Sequence, residues 1–129
     1  MNLNKSIILC FLALALIARA EEYLDMATLV SNQGSRAIFE STGKGEKTKD
    51  IESNAQKSLF HQLFYKDVDG INDGKPLVVK ENQMYTNSFF NETARYALYV
   101  VPNSVTAAGK PIKGGSSKMV AYRMTVRVQ

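Results

Sequence analysis

The sequence is poor in cysteine. Its single cysteine, Cys10, lies inside an N-terminal apolar run, so the rest of the chain has no thiol that could form a disulfide. Disulfide-stapled secreted scaffolds are therefore excluded, and the domain must be stabilised by packing. A lipid-attachment role for Cys10 is also disfavoured, because Ile8 and Leu9 precede it where a small residue is expected.

Long hydrophobic runs are missing as well. The apolar run Ser6–Ile17 is well short of the roughly 20 residues that a membrane-spanning helix needs. Lys5 precedes it, and residues 18–20 follow with the small-x-small pattern that signal peptidase reads. We therefore predict a signal peptide over residues 1–20, cleavage before Glu21, and no transmembrane segment in the mature chain. Export without disulfides favours a periplasmic or secreted protein of the bacterial cell envelope.

Acidic residues are absent from the last part of the chain. All 12 acids lie in residues 21–92 with eight bases, whereas residues 93–129 hold six bases and no acid. The predicted mature chain carries 14 bases and 12 acids, a balance too even for general nucleic-acid binding. Two interpretations stay open. Either the two parts neutralise each other within one fold, or the basic part contacts an anionic glycan, a lipid headgroup or an acidic protein.

Histidine is scarce too. His61 is the only histidine and cannot by itself build a histidine zinc site. As a general base it would need a neighbouring nucleophile, and no serine lies in a G-x-S-x-G or S-x-x-K frame. A hydrolase that uses His61 with Asp67 and Asp69 is therefore a secondary hypothesis. The sequence predicts no catalytic residue, metal ligand or cofactor.

Two glycine-containing segments imitate ligand-binding loops without matching them. Residues 67–74 fail the EF-hand pattern of oxygen ligands in both possible registers and are interpreted as a polar turn. Residues 43–45 (Gly-Lys-Gly) lack the spacing of a P-loop or a dinucleotide fingerprint. They are interpreted as a strand-to-helix turn. The alternative is an anion held at the helix start by Lys44, Lys47 and Lys49.

Periodicity predicts one long helix and one long strand. Thr48 is the expected N-cap, and Ile51, Ala55, Leu59 and Leu63 recur every four residues up to a helix end near Tyr65–Lys66. Over residues 120–128, Val120, Tyr122, Met124, Val126 and Val128 alternate with Ala121, Arg123, Thr125 and Arg127, which predicts an antiparallel strand with one face on the core. The other face would carry Arg123, Thr125 and Arg127 toward solvent.

Shorter segments complete the expected fold. Extended structure is predicted over Ala27–Val30, Arg36–Thr42, Lys75–Val79 and Arg95–Val101. Residues 82–91 are predicted to form a short helix that brings Met84, Tyr85, Phe89 and Phe90 onto the core, and residues 106–118 a mobile loop. The predicted architecture is a single α+β domain over residues 21–129. It is a two-layer sandwich in which a long and a short helix pack on a small antiparallel sheet.

The stretch TGKGEKTKDIESNAQKSLF, followed by LFYKDVDG and KPLV, resembles small exported proteins of Bacteroidetes-type bacteria. More remotely, it is similar to envelope domains of the LPP20 lipoprotein and flagellar-assembly T-protein type. The similar stretch runs from about Ile38 to Val79. The resemblance implies a helix packed on a small antiparallel sheet and an envelope location, and it brings no catalytic residue. The chain departs from the lipoprotein pattern by lacking a lipid-attachment cysteine.

These observations predict a non-enzymatic binding or assembly module. Its partner would be another envelope protein or an anionic glycan or surface, contacted by the glycine-rich loop and the polar face of the last strand. The last strand is expected at a sheet edge, where it can accept another strand. The candidate contact residues are Lys110, Lys113, Lys118, Arg123, Thr125 and Arg127. The alternative is a small glycan-binding module that stacks sugars on Tyr96, Tyr99 or Tyr122.

Overall fold

The computed structural model describes residues 23–77, 83–92 and 94–127. Within them the chain has the predicted α+β fold, in which a curled antiparallel sheet packs against helices. The strands are β1 (Thr28–Asn32), β2 (Arg36–Gly45), β3 (Thr106–Ala107), β4 (Ile112–Gly114) and β5 (Ser117–Arg127). The helices are α1 (Thr48–Tyr65) and α2 (Gln83–Asn87), which continues as a π-helical turn over Ser88–Glu92. The predicted signal peptide and the Val78–Val79 end of one predicted strand lie outside the described residues.

The centre of the sheet is the pair β2–β5. The two strands run antiparallel in unbroken register, from Arg36 opposite Arg127 to Gly45 opposite Lys118. β1 forms a hairpin with β2 and carries a bulge between Leu29 and Ser31. On the other side, β3 and β4 both pair with β5. The alternation predicted for the last strand is confirmed over residues 120–127, with Val120, Tyr122, Met124 and Val126 buried, while Val128 lies outside the described residues.

Two expectations about the C-terminal part were wrong. β5 is not an edge strand, because β2 covers one side of it and β3 and β4 the other. Residues 106–118 are not an irregular loop: two short segments of them pair with β5, and a two-residue turn at Gly115 and Ser116 joins β4 to β5. Gly115 has a φ of 65°, which glycine adopts without a steric cost. Gly115 therefore allows the tight turn of the hairpin between β4 and β5.

Helix α1 packs across β2 at close range. Its buried stripe contains the predicted Ile51, Ala55, Leu59 and Leu63. The residue at the N-cap is Lys47 rather than Thr48, with no side-chain capping bond. In addition, the side chain of Ser41 on β2 donates a buried hydrogen bond of 2.7 Å to the carbonyl oxygen of Ala55 on α1.

Residues 95–101 do not form the predicted strand. Arg95–Tyr99 is a 3₁₀ helix that begins after Ala94, whose φ of 47° turns the chain sharply. Only Val100 reaches the sheet, as a bridge opposite Val126, and the N–H of Val101 donates to the carbonyl oxygen of Thr125. The turn is favoured because it buries Tyr96, whose ring lies 6.3 Å from that of Phe60 on α1.

The short helix predicted over residues 82–91 is confirmed as α2 and its π turn. Phe89 and Phe90 are buried as expected. Met84 is not on the core, since it is 85% exposed, and Tyr85 is about half exposed. None of the helices in residues 23–77, 83–92 and 94–127 has the length and apolar character needed to cross a bilayer.

A segment before β1, residues 23–27, is held against α1 by side chains of the helix. The amide of Gln62 accepts from the N–H of Ala27 at 2.7 Å and donates to its carbonyl oxygen at 3.0 Å. The same amide also donates to the carbonyl oxygen of Asp67. Ser58 accepts from the N–H of Leu24. These hydrogen bonds to Leu24 and Ala27 place Tyr23 and Asp25 beside His61.

Candidate functional site

The six candidate contact residues do not share one surface. Side chains alternate along a strand, and β2 and β5 pair without a bulge, so the position in the register decides the face. Arg123, Thr125 and Arg127 lie on the face of β5 opposite the buried residues, as predicted. Lys118 has the parity of the buried Val120, and Lys113 pairs with Lys118, so both belong to the helix-side face at its far end. Lys110 is exposed in the connection between β3 and β4.

The side of β2 and β5 away from α1 is called here the outer sheet face. On these two strands it consists of five cross-strand pairs: Arg36–Arg127, Ile38–Thr125, Glu40–Arg123, Thr42–Ala121 and Lys44–Met119. None of these ten residues is buried. The set holds four basic side chains and one acidic one, so the face carries an excess of positive charge.

Two arginine pairings differ sharply on this face. Arg123 faces Glu40, with 3.4 Å between its Nη2 and the Oε2 of the carboxylate. Arg36 faces Arg127. Within the described part of the chain, neither Arg36 nor Arg127 has a carboxylate partner. The sequence interpretation missed Arg36, because its position opposite Arg127 depends on a strand register that local patterns do not reveal.

A second feature that sequence reasoning missed is an apolar cavity of about 350 Å³ on the helix side of the sheet. Its lining comes from β2, α1, the turn after α1, α2, the 3₁₀ helix and β5. Phe39, Phe89 and Val126 are buried lining residues, whereas Leu77 and Tyr99 are about half exposed. Arg127 is the one charged residue that lines the cavity among those described. No sequence signal marks this cavity, because its walls come from segments far apart in the chain.

His61 is partly buried on α1, between the rings of Tyr23 and Tyr65, whose centroids lie 4.8 and 5.1 Å from its own. Its Nδ1 is 3.7 Å from Oδ1 of Asp25 and makes no hydrogen bond in the described part of the chain. Burial lowers the pKa of His61 below its ordinary value, and the nearby Asp25 carboxylate only partly offsets this. His61 is therefore biased toward its neutral form.

In the described residues, His61, Asp67 and Asp69 do not line one shared pocket, which is the arrangement that the hydrolase hypothesis named. Asp67 and Asp69 line a separate hollow together with Gln62, and His61 does not line it. The carboxylate that comes closest to His61 is instead that of Asp25, from the segment before β1. The structure thus brings His61 together with a different acid from the two that the sequence hypothesis named.

The three candidate tyrosines have different environments. Tyr96 and Tyr122 are buried, and burial raises the pKa of both phenols. Tyr99 is 43% exposed and can offer a ring face to a ligand. A stacking platform made of all three is excluded, because two of them fill the core.

Residues 67–74 and 43–45, whose sequences partly resemble ligand-binding loops, have structural roles. Asn72 and Asp73 both have positive φ in the turn after α1, and the described residues contain no group of three histidine, cysteine, aspartate or glutamate side chains that could hold a metal ion. At Gly43, a Cβ atom would overlap the carbonyl oxygen of Ile51 and lie 2.6 Å from the backbone nitrogen of Ala55. Gly43 therefore allows the close contact between β2 and α1, which accounts for this glycine without a phosphate.

Comparison of the chain with protein-family models, curated proteins and solved structures finds no match. The likeness to small exported envelope proteins therefore stays a prediction from the residues quoted for it. The function has to be argued from the surface and cavities described above.

Proposed function

We propose that this protein is a non-enzymatic, exported binding module whose outer sheet face contacts an acidic surface of another envelope protein. The observation that carries the proposal is the directly opposed pair Arg36 and Arg127. Like charges in directly opposed positions destabilise a sheet. An anionic partner that contacts both guanidinium groups would relieve this repulsion.

The composition of the face supports a macromolecular partner. Ile38, Met119 and Ala121 are partly exposed apolar side chains within the same rows. Protein interfaces combine apolar contacts with arginine, which can bind carboxylates through two parallel hydrogen bonds. The outer face offers both kinds of contact on a rigid pair of long strands.

The site of contact differs from the one that the sequence favoured. A partner strand cannot add to β5, because both sides of β5 are already paired. β1 is at one edge of the sheet, and its bulge disturbs the regular ladder that an added strand would need. The proposal therefore relies on side chains of the outer face and leaves Lys110, Lys113 and Lys118 outside the contact.

The glycan-binding alternative now depends on Tyr99 alone, since Tyr96 and Tyr122 are buried. One exposed ring supports the glycan-binding alternative less strongly than four basic side chains support contact with an acidic surface. A hydrolase based on His61 has no support from Asp67 and Asp69, which line a hollow that excludes His61.

The test is affinity capture of the mature protein from crosslinked cells, with the variant pair Arg36→Glu and Arg123→Glu. We expect the double charge reversal to remove a stoichiometric acidic partner from the captured fraction. The matched control is Lys113→Glu, which reverses a charge on the other face of the sheet. Equal recovery of the partner with all variants would reject the outer face as the contact.

A further inference from the structure

The segment before β1, residues 23–27, is called here the strap, and it is attached to α1 by a small set of contacts. It forms no helix or strand of its own. The N–H of Leu24 donates to the hydroxyl of Ser58, and the side-chain amide of Gln62 binds both the N–H and the carbonyl oxygen of Ala27. Because hydrogen bonds of this kind each contribute modestly, we expect the strap to open at a lower free energy than the sheet and α1.

His61 lies in the middle of this contact. It shares a side of α1 with Ser58, because helix residues three apart are neighbours on the surface. The ring of Tyr23 on the strap lies 4.8 Å from the ring of His61, measured between centroids. The Nδ1 atom of His61 has almost no exposed surface and no hydrogen-bond partner in the described part of the chain, and Oδ1 of Asp25 is 3.7 Å away. Two strap residues therefore lie against a ring nitrogen that is shut off from water.

Protonation of His61 conflicts with the docked position of the strap. A charged imidazole carries an N–H donor on both nitrogens. While the strap is docked, the donor on Nδ1 would have neither water nor an oxygen at hydrogen-bond distance among the described residues. Burial accordingly lowers the pKa of His61. Release of the strap would give the nitrogen access to water, so the charged ring favours the released state.

The other groups around the ring do not reverse this preference. The side chains that face or act on His61 are Tyr23 and Asp25 from the strap, Tyr65 and Lys66 from the end of α1, and Phe90 from the π turn. Asp25 is the one carboxylate in this set, and it favours the charged ring. Its side chain is 42% exposed, so water screens its field. Lys66 opposes the charged ring, and burial raises the pKa of the Tyr23 phenol, which stays neutral.

We propose that the strap is a pH-sensitive clasp, docked on α1 while His61 is neutral and released when His61 is protonated. Release uncovers the side of α1 that holds Ser58 and Gln62, together with the buried Ala27. Acidification would therefore expose a surface of the helix that is covered at neutral pH. This device is separate from the outer sheet face, which lies on the other side of β2 and β5.

The test is hydrogen exchange of the purified mature protein, followed by NMR at about pH 7.5 and about pH 5, on either side of the ordinary histidine pKa. The amides of Leu24 and Ala27 report on the strap, and the amide of Val101, which donates to Thr125 on β5, reports on the sheet. Each rate is divided by that of an unstructured chain at the same pH. We expect the protection of the two strap amides, relative to Val101, to fall by about twofold or more at the lower pH. A ratio that stays constant or rises would overturn the proposal.

Two variants assign the effect to His61. His61→Gln keeps a neutral polar side chain at both pH values and should abolish the change in the ratio. It also separates His61 from the α-amino group of a chain that begins at Glu21, which titrates in the same range. Asp25→Asn removes the carboxylate that favours the charged ring, so it should enlarge the loss of protection at the lower pH by about twofold. A persistent loss in His61→Gln, or a smaller loss in Asp25→Asn, would assign the switch to another group and reject the proposal.

Two further variants are controls. Glu40→Gln removes a carboxylate on the outer sheet face and should leave the strap ratio unchanged. Tyr23→Ala removes the ring that packs on His61 and should lower the protection of the strap amides at both pH values; unchanged protection would show that the strap is not docked through this ring and would overturn the proposal. Circular dichroism and the protection of Val101 verify that each variant is folded. The measurement needs no partner, so its result is independent of the proposal for the outer sheet face.

Discussion

Arg36 on β2 and Arg127 on β5 lie directly opposite each other in the central strand pair. Two pairs further along the same face, Glu40 lies opposite Arg123 at ion-pair distance. The same face thus contains one favourable charge pair and one unfavourable pair. Like charges in directly opposed positions cost stability in the isolated protein.

The first prediction concerns this cost. Replacing Arg36 by Gln should raise the free energy of unfolding by about 0.5 kcal/mol at low salt, because it removes a repulsive cross-strand pair. The gain should shrink at high ionic strength, where the repulsion is screened. Urea unfolding measures both values. Arg123→Gln is the control. It should not raise the free energy of unfolding, because it removes the ion pair with Glu40. A lower free energy of unfolding for Arg36→Gln at low salt would contradict the account.

The second prediction concerns the contact between β2 and α1. Gly43→Ala should destabilise the fold by about 2 kcal/mol or more, because the new Cβ overlaps backbone atoms that cannot rotate away. Gly109→Ala is the matched control, since nothing lies within 4 Å of the added atom. Thermal and urea unfolding compare the two variants. Equal stabilities would show that α1 can shift away from β2 without cost.

The third prediction concerns pH. Burial lowers the pKa of folded His61 below the value of about 6.5 expected in the unfolded chain. The stabilising contribution of neutral His61 is therefore present above about pH 6.5 and is lost as the pH falls through the lowered pKa. An NMR titration of the single histidine gives its pKa directly. Asp25→Asn should lower this pKa further, because the carboxylate favours the charged ring; a pKa above 6.5 would contradict the assigned effect of burial.

The fourth prediction concerns processing. The basic start, the apolar run and the small-x-small pattern predict that the exported protein begins at Glu21. Mass spectrometry of the N-terminal peptide of the protein recovered from the envelope would show a chain that begins at Glu21. Replacing Ala18 and Ala20 by bulky residues should leave the precursor uncut. If the protein in the envelope retains residues 1–20, the predicted cleavage of a signal peptide is wrong.

Local patterns predicted the elements whose signals are long. The stripe of Ile51, Ala55, Leu59 and Leu63 extends over more than three helical turns. The alternation in β5 continues from Val120 to Arg127. Both were therefore identified correctly. The segment 95–101 was misassigned because a short apolar run has no period that separates a strand from a turn of helix. Burial of Tyr96 and the turn at Ala94 decided its conformation.

The candidate site was predicted only in part, for a related reason. Alternation placed Arg123, Thr125 and Arg127 on one face, but it gave no information on which strand would lie beside them. The pairing with β2 added Arg36. Lys118 is excluded because it shares the parity of the buried Val120, and Lys113 is excluded because it pairs with Lys118. The apolar cavity requires contacts among several distant segments, which depend on tertiary packing.

The most direct test of the central claim is site-specific photocrosslinking in intact cells. A photoreactive amino acid replaces Thr125 on the outer face or, as the matched control, Lys113 on the helix-side face. The account predicts a discrete crosslinked product from position 125 that is lost when Arg36 is changed to Glu, and none from position 113. A product from position 113 alone, or none from position 125, would contradict the claim that the outer sheet face binds a partner.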